Sequence, residues 1–186
     1  MSTAKAPDDK PSGGVTFPRW MAPIAGFFAF AVAIPLVHGV VPWSISLLAR
    51  RYGWSEGHPT IWNQLGLMPV TIAIIGLIWI MVIGLAHTHQ LPERVGLDWT
   101  PKIFLSGGPY AFTRNPMYVA ELLLWFGWAH YYGSVTVFLG FALFGAVSNF
   151  LIVPNEERAL EAQFGDDYLQ YKRRVPRWLL SAGARK

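Results

Sequence analysis

Two stretches of this chain concentrate charged and aromatic side chains: Gly108-Pro109-Tyr110-Ala111-Phe112-Thr113-Arg114-Asn115-Pro116-Met117-Tyr118, and Glu156-Glu157-Arg158-Ala159-Leu160 through Phe164-Gly165, Tyr168, Tyr171 and Val175-Pro176-Arg177. The first contains a Gly-Gly-Pro turn followed by Asn115-Pro116. Proline is well tolerated in a first helical turn, where its missing N–H has no partner to lose, so a helix is predicted to start there. A helix start presents free N–H donors and partial positive charge, and Arg114 beside it adds a planar cation, so this end suits a carboxylate or phosphate. In the second stretch Glu156 and Glu157 leave an apolar run as paired acids, which suits a cationic ligand group or Arg114 itself.

If helical geometry runs back to Arg114, that residue shares a face with Tyr118 and Glu121, at offsets of four and seven. Glu121 then lies about one turn inside an apolar segment, where an ionisable group is either paired or functional. Two readings stay open. Arg114 and Glu121 neutralise one another as a structural lock, or they act in the reacting centre as catalytic groups.

The elements that hold these motifs are read from three runs lacking Asp, Glu, Lys and Arg: Trp20 to Ala49, Gly57 to Pro92 and Leu122 to Asn155. A bilayer core needs roughly 20 apolar residues per helix. The third run would be about 51 Å long as one helix, so it must turn back, and Tyr131-Tyr132-Gly133-Ser134 supplies the break. The predicted fold is an all-α integral membrane protein with spans near 21–49, 64–86, 116–131 and 134–153. Pro35 and Pro42 leave room for a fifth if they split the first span. From Pro154 onward, Leu160, Phe164, Tyr168 and Tyr171 recur at helical spacing, with acids early and Lys172, Arg173 and Arg174 late, as the helix dipole favours. This C-terminal amphipathic segment is interrupted at Gly165-Asp166 and ends at Val175-Pro176. The organisation is a disordered tail over 1–18, one membrane-embedded domain over 19–178, and a short tail over 179–186.

With the N-terminus cytoplasmic, thirteen Lys and Arg residues lie inside and only Arg50 and Arg51 outside, which favours that orientation with both termini and both motifs on the cytoplasmic face of a bacterial-type inner or plasma membrane. The net charge of +4 is then explained by contact with anionic membrane lipids, without nucleic acid. The absence of cysteine excludes disulfides, thiolate metal sites and cysteine nucleophiles. His87-Thr88-His89 is a poor metal pair because i, i+2 rings splay apart on a helix. His38 and His130 read as lone packing or interfacial residues.

The ordered set Gly108-Pro109-Tyr110, Arg114-Asn115-Pro116-Met117-Tyr118, Glu156-Glu157, Leu160, Phe164-Gly165, Tyr168, Tyr171 and Val175-Pro176-Arg177 resembles the isoprenylcysteine carboxyl methyltransferase and phospholipid methyltransferase superfamily, over about residues 105–178. The resemblance implies S-adenosylmethionine bound at the cytoplasmic end of the hairpin and a lipophilic small-molecule or lipid acceptor entering from the bilayer. On this reading Arg114 and the helix start take the cofactor's carboxylate, Glu156 or Glu157 its cations, and Tyr110, Tyr118, Phe164 or Tyr168 its adenine or sulfonium, with Tyr171 nearby. Arg114 and Glu121 are expected to orient the acceptor or to balance charge in the reacting centre. Eukaryotic carboxyl methyltransferases of this superfamily tend to have His where this chain has Asn115, and Asn is no general base near neutral pH. A carboxylate acceptor needs no base, whereas an amine or phenol does. The alternatives are an NADPH-dependent reductase of the sterol-reductase type and a non-catalytic lipid-binding protein.

Overall fold

A computed structural model of the chain describes residues 16–96 and 102–179. The order is strand β1 (Thr16–Pro18), helix α1 (Arg19–Ser46), strands β2 (Trp54–Ser55) and β3 (His58–Pro59), helix α2 (Leu67–Ala86), strand β4 (Arg94–Gly96), helix α3 (Pro116–Tyr132), helix α4 (Val135–Val147) and helix α5 (Val153–Arg174). Three helical runs, Arg19–Ser46, Ile61–Gln90 and Val135–Arg174, are long and apolar enough to cross a membrane. The fold is thus mainly helical and of membrane type, with two small antiparallel strand pairs that local apolar periodicity did not foretell.

Prolines bend this architecture less than expected. Helix α1 is not split at Pro35 or Pro42; it widens into π turns at Ala29–Ala33 and Leu36–Val40, which absorb the carbonyls that proline leaves unpaired. In the same way a π turn at Ser148–Ile152 carries α4 into α5 through Pro154, so the C-terminal segment continues the last apolar helix instead of starting afresh. Within α5, Gly165 takes φ 50° and ψ −125°, the kink expected at Gly165-Asp166, and Val175 in extended conformation ends the helix.

Three residues of the stretch assigned to a tail over 1–18 are described, and they form strand β1. Thr16 to Pro18 pair with Gly96 to Arg94, and Arg94 Nε donates to Thr16 Oγ1 at 2.9 Å, because both flanks of the α1–α2 hairpin emerge at one end with free backbone groups. The rest of that tail, and nearly all of the stretch over 179–186, lie outside the described residues.

Helices α2 and α3 form the centre, with Val70, Ala73 and Leu77 packed on Ala120 and Leu124. Their approach depends on two glycines: a Cβ at Gly66 would sit 2.6 Å from the Gly127 carbonyl oxygen, and one at Gly127 2.6 Å from Val70 Cγ2. Small residues at such crossings are the membrane solution to close helix packing. The α3–α4 hairpin turns at Gly133, whose φ of 56° is left-handed, and Ser134 caps α4 by accepting from the Val137 N–H. Phe28, Val32, Ile72, Ile75, Phe138, Leu139 and Leu143 point outward, an apolar exterior that water would penalise and lipid accepts.

Candidate active site

The turn before α3 and the second half of α5 meet at the end of the bundle opposite the α3–α4 hairpin. Gly108–Ala111 forms a single 3-10 turn, and Asn115 adopts φ −128° and ψ 53°, so helical geometry begins at Pro116 and does not reach Arg114. Backbone bonds tie the two segments: Arg114 N–H donates to the Pro176 carbonyl at 2.9 Å, and Thr113 Oγ1 and Asn115 Nδ2 both donate to the Arg177 carbonyl, at 2.7 and 3.1 Å. Asn115 is therefore a strut between the motifs.

Behind this seam lies a buried ion-pair cluster. Arg114 Nη2 is 3.0 Å from Glu157 Oε1, and Arg177 reaches the same carboxylate with Nε at 3.2 Å and Nη2 at 2.6 Å. Lys172 Nζ stands 3.9 Å away and also bonds Glu161. The Glu157 carboxylate is thus enclosed by three cations, and this contact holds the Arg177 pKa above its ordinary value. The Arg114–Glu121 lock is not formed: because α3 starts only at Pro116, Arg114 swings towards α5 while Glu121 faces α1, its Oε1 3.6 Å from His38 Nε2.

In front of the cluster is a partly enclosed cavity of about 220 Å³, lined by Phe104, Tyr110, Arg114, Asn115, Pro116, Tyr118, Glu156, Glu157, Leu160, Tyr168 and Tyr171, among others. Most residues singled out from sequence meet here. Gly108 and Pro109 shape the turn outside the lining; the Gly108 φ is 60°, and Ile83 fills the space a side chain would need. Phe164 sits behind the wall, its ring 5.6 Å from that of Phe104. Glu121 is deeper, one turn beyond Tyr118.

Three features give the cavity its chemistry. Arg114 Nε is buried without a hydrogen-bond partner, an orphaned donor on a cationic wall. At the opposite side Tyr118 Oη donates to Glu156 Oε1 at 2.6 Å, leaving an exposed carboxylate with further acceptor capacity. Between them Phe104 packs 5.7 Å from Tyr168 and 5.2 Å from Tyr171, and Tyr171 Oη donates to the Tyr110 carbonyl at 2.7 Å. Burial first, and Glu156 second, push the Tyr110 phenol pKa up, so its ring stays neutral. A guanidinium, a carboxylate and aromatic rings thus share the lining of one cavity.

A phospholipid methyltransferase family model matches residues 97–167. Methanethiol S-methyltransferase 1 of Bradyrhizobium diazoefficiens is 32% identical over an alignment 149 residues long that covers 71% of this chain and 50% of that protein. The chain belongs to the membrane methyltransferase superfamily of the isoprenylcysteine carboxyl and phospholipid enzymes. An uncharacterised protein of Haemophilus influenzae is 40% identical to this superfamily member over 63 residues, covering 34% of the chain and 100% of that protein. The chain spans about half the length of the Bradyrhizobium methyltransferase. No solved structure matches it.

Sequence reasoning about this methyltransferase-family chain missed three things. Arg177 and Lys172 were seen as parts of a motif or a basic helix end, without their shared carboxylate. Ile103 and Phe104, which line the cavity, precede the first motif by only a few residues. His38 was set aside as a lone histidine, yet it accepts from Trp125 Nε1 at 2.9 Å and faces Glu121; its only sequence signal was a polar residue in a long apolar run. Among the described residues no cluster suited to a metal ion occurs.

Proposed function

We propose that the protein transfers the methyl group of S-adenosylmethionine to a lipophilic or membrane-embedded acceptor at the end of the bundle where the two motifs meet. The observation that carries this reading is the convergence of the Arg114 Nε orphan, the Glu156 carboxylate and the Tyr110, Tyr168 and Tyr171 rings on one cavity in a chain of this superfamily. The donor set fits the group: Arg114 and the start of α3 take its carboxylate, Glu156 its ammonium, and the aromatic rings its adenine and sulfonium. Glu157, already enclosed by cations, holds Arg114 in place instead of binding the ligand. When bound, S-adenosylmethionine supplies an activated methyl on a cationic sulfur. The chain's residues orient donor and acceptor in line and exclude water; orientation of this kind contributes roughly 7–11 kcal/mol to rate.

Family membership favours this donor over NADPH and over a purely lipid-binding role. Four spans are proposed, with α3, about 26 Å long at 17 residues, as the one beyond the three long apolar runs. The Lys and Arg count supports cytoplasmic termini and a cytoplasmic site in an inner or plasma membrane. The acceptor class is open to a thiol among others, the class named in the Bradyrhizobium relative. Calorimetry on detergent-solubilised protein tests the donor site: S-adenosylhomocysteine binds, Tyr118→Ala and Glu156→Gln each weaken it about tenfold or more, and NADPH does not bind. Unchanged affinity in both variants, or binding of NADPH alone, removes this reading.

A further inference from the structure

One buried polar group of the bundle has no role in the cavity just described. Glu121, 6% exposed on α3, forms no hydrogen bond to either carboxylate oxygen among the described residues; its Oε1 faces His38 Nε2 at 3.6 Å. His38, also 6% exposed, is itself oriented: an indole N–H only donates, so the 2.9 Å contact from Trp125 Nε1 makes His38 Nδ1 the acceptor and leaves the ring proton on Nε2, facing Glu121. Phe144 lies edge-on to the imidazole at 5.5 Å and 6.2 Å from the Trp125 ring, closing the other side. The facing stretch of α2, Val70, Ala73 and Leu77, is apolar.

A carboxylate held in apolar surroundings without a cation is costly, and in a membrane span such a group marks a functional path. Its position gives the path a direction. Tyr118 and Glu121 are three residues apart on α3 and so share a face, which puts Glu121 about 4.5 Å further along the axis than a cavity-lining side chain. The Tyr118 and Glu156 pair is the polar step between the cavity and Glu121.

We propose that Glu121, positioned by the Nε2–H of His38, is the proton acceptor for a neutral thiol that enters from the bilayer side of the site. This rests on the methyl-transfer reading above and deepens it by naming the acceptor class. With Glu156 in the cavity lining and Glu121 one turn deeper on the face of Tyr118, an anionic carboxylate acceptor between them meets repulsion, while a neutral S–H is readily desolvated and finds a base. The S–H proton passes to a Glu121 oxygen. The sulfur's electron pair forms the new S–C bond as the carbon–sulfur bond of the methyl sulfonium donor breaks, its electron pair remaining on the donor sulfur. Glu121 then returns its proton to solvent through the cavity. Trp125 fixes the tautomer, which makes His38 a positioning residue.

The test uses the full chain in nanodiscs, with S-adenosylhomocysteine for binding, S-adenosylmethionine as donor for turnover, and 1-butanethiol, 4-nitrothiophenol, butanoate and phosphatidylethanolamine as probes. In calorimetry with S-adenosylhomocysteine bound, 1-butanethiol binds at least tenfold more tightly than butanoate, and Glu121→Gln narrows that ratio by admitting the anion. In turnover, Glu121→Gln lowers the rate on 1-butanethiol about a hundredfold or more, the scale of a lost general base. The same variant matches or exceeds the wild-type rate on 4-nitrothiophenol, which is already ionised at neutral pH, needs no base, and as an anion is admitted better without the Glu121 carboxylate. His38→Phe lowers the 1-butanethiol rate and His38→Gln restores part of it, with S-adenosylhomocysteine affinity unchanged in all three variants. Equal binding of butanoate and 1-butanethiol, methylation of butanoate or phosphatidylethanolamine in place of the thiol, or equal loss on both thiols in Glu121→Gln overturns the assignment while leaving the donor site standing. Failure of the wild type to bind S-adenosylhomocysteine overturns both.

Discussion

Glu157 is the residue on which the site's electrostatics turn. Its carboxylate is almost entirely out of water and shared by Arg114 and Arg177, with Lys172 near. Such a cluster is not strong evidence for stability as a whole, since desolvation offsets most of the attraction, but removing the carboxylate leaves the buried Arg114 without its counter-charge. Glu157→Ala is therefore expected to cost about 3–5 kcal/mol and to lower the thermal midpoint in detergent by on the order of 10 °C. It also frees Arg114, so S-adenosylhomocysteine affinity falls with it. A Glu157→Ala protein that melts and binds like wild type would show that Arg114 is held by its backbone bonds alone. Glu156, one residue earlier, behaves differently because it is exposed: Glu156→Gln is expected to affect binding with little change in melting.

At the scale of elements, the site depends on how closely α2 and α3 approach, because α3 carries Pro116 and Tyr118 in its first turn and Glu121 in the next. The approach is set at Gly66 and Gly127, where neither helix has space for a Cβ. Gly127→Val must move Val70 or the α2 backbone, and overpacking of this kind costs typically about 1–3 kcal/mol. The expected outcome is a lower melting temperature together with weaker turnover, since rotating α3 moves Glu121 off His38. The mirror change at Gly145, where a Cβ would meet only Leu122 at 3.4 Å, is expected to be mild. Equal melting temperatures for Gly127→Val and Gly145→Ala would contradict the tight crossing. The kink at Gly165 serves the same end differently, turning α5 so that Tyr168 and Tyr171 reach Phe104.

For the whole molecule, the two ends of the bundle differ in character. The hairpin end is closed by Arg51, whose guanidinium lies 4.7 Å over Trp54 and 4.9 Å over Tyr132, and by Asn63, which donates to the Tyr52, His130 and Tyr131 carbonyls. The other end carries Arg94, Arg114, Lys172 and Arg177. On the orientation proposed from the positive-inside rule, this end faces the cytoplasm. Because the chain contains no cysteine, single substitutions report directly on sidedness. In intact bacterial cells a membrane-impermeant maleimide is expected to label Ser55→Cys in the hairpin-end loop and to spare Gln163→Cys, both positions being exposed. The opposite labelling pattern would invert the topology and put the cavity outside.

Much of this was legible in one dimension because its causes are local. An apolar run long enough to span hydrocarbon, a Gly-Ser break between helices, a proline at a helix start and a glycine at a kink are each dictated by a few consecutive residues, and Gly133, Pro116 and Gly165 stand where those rules put them. The motif residues also converge largely as their order implied, since a tight hairpin returns α5 beside the start of α3. What only the tertiary structure decided is pairing. Whether Arg114 meets Glu121 or Glu157 depends on where α3 begins, and the non-helical conformation of Asn115, one residue before the helix, sends the guanidinium to the other motif. Whether His38 is idle or faces a carboxylate depends on the rotation of α1 against α3, which side-chain packing between helices fixes and helical periodicity within either one does not encode.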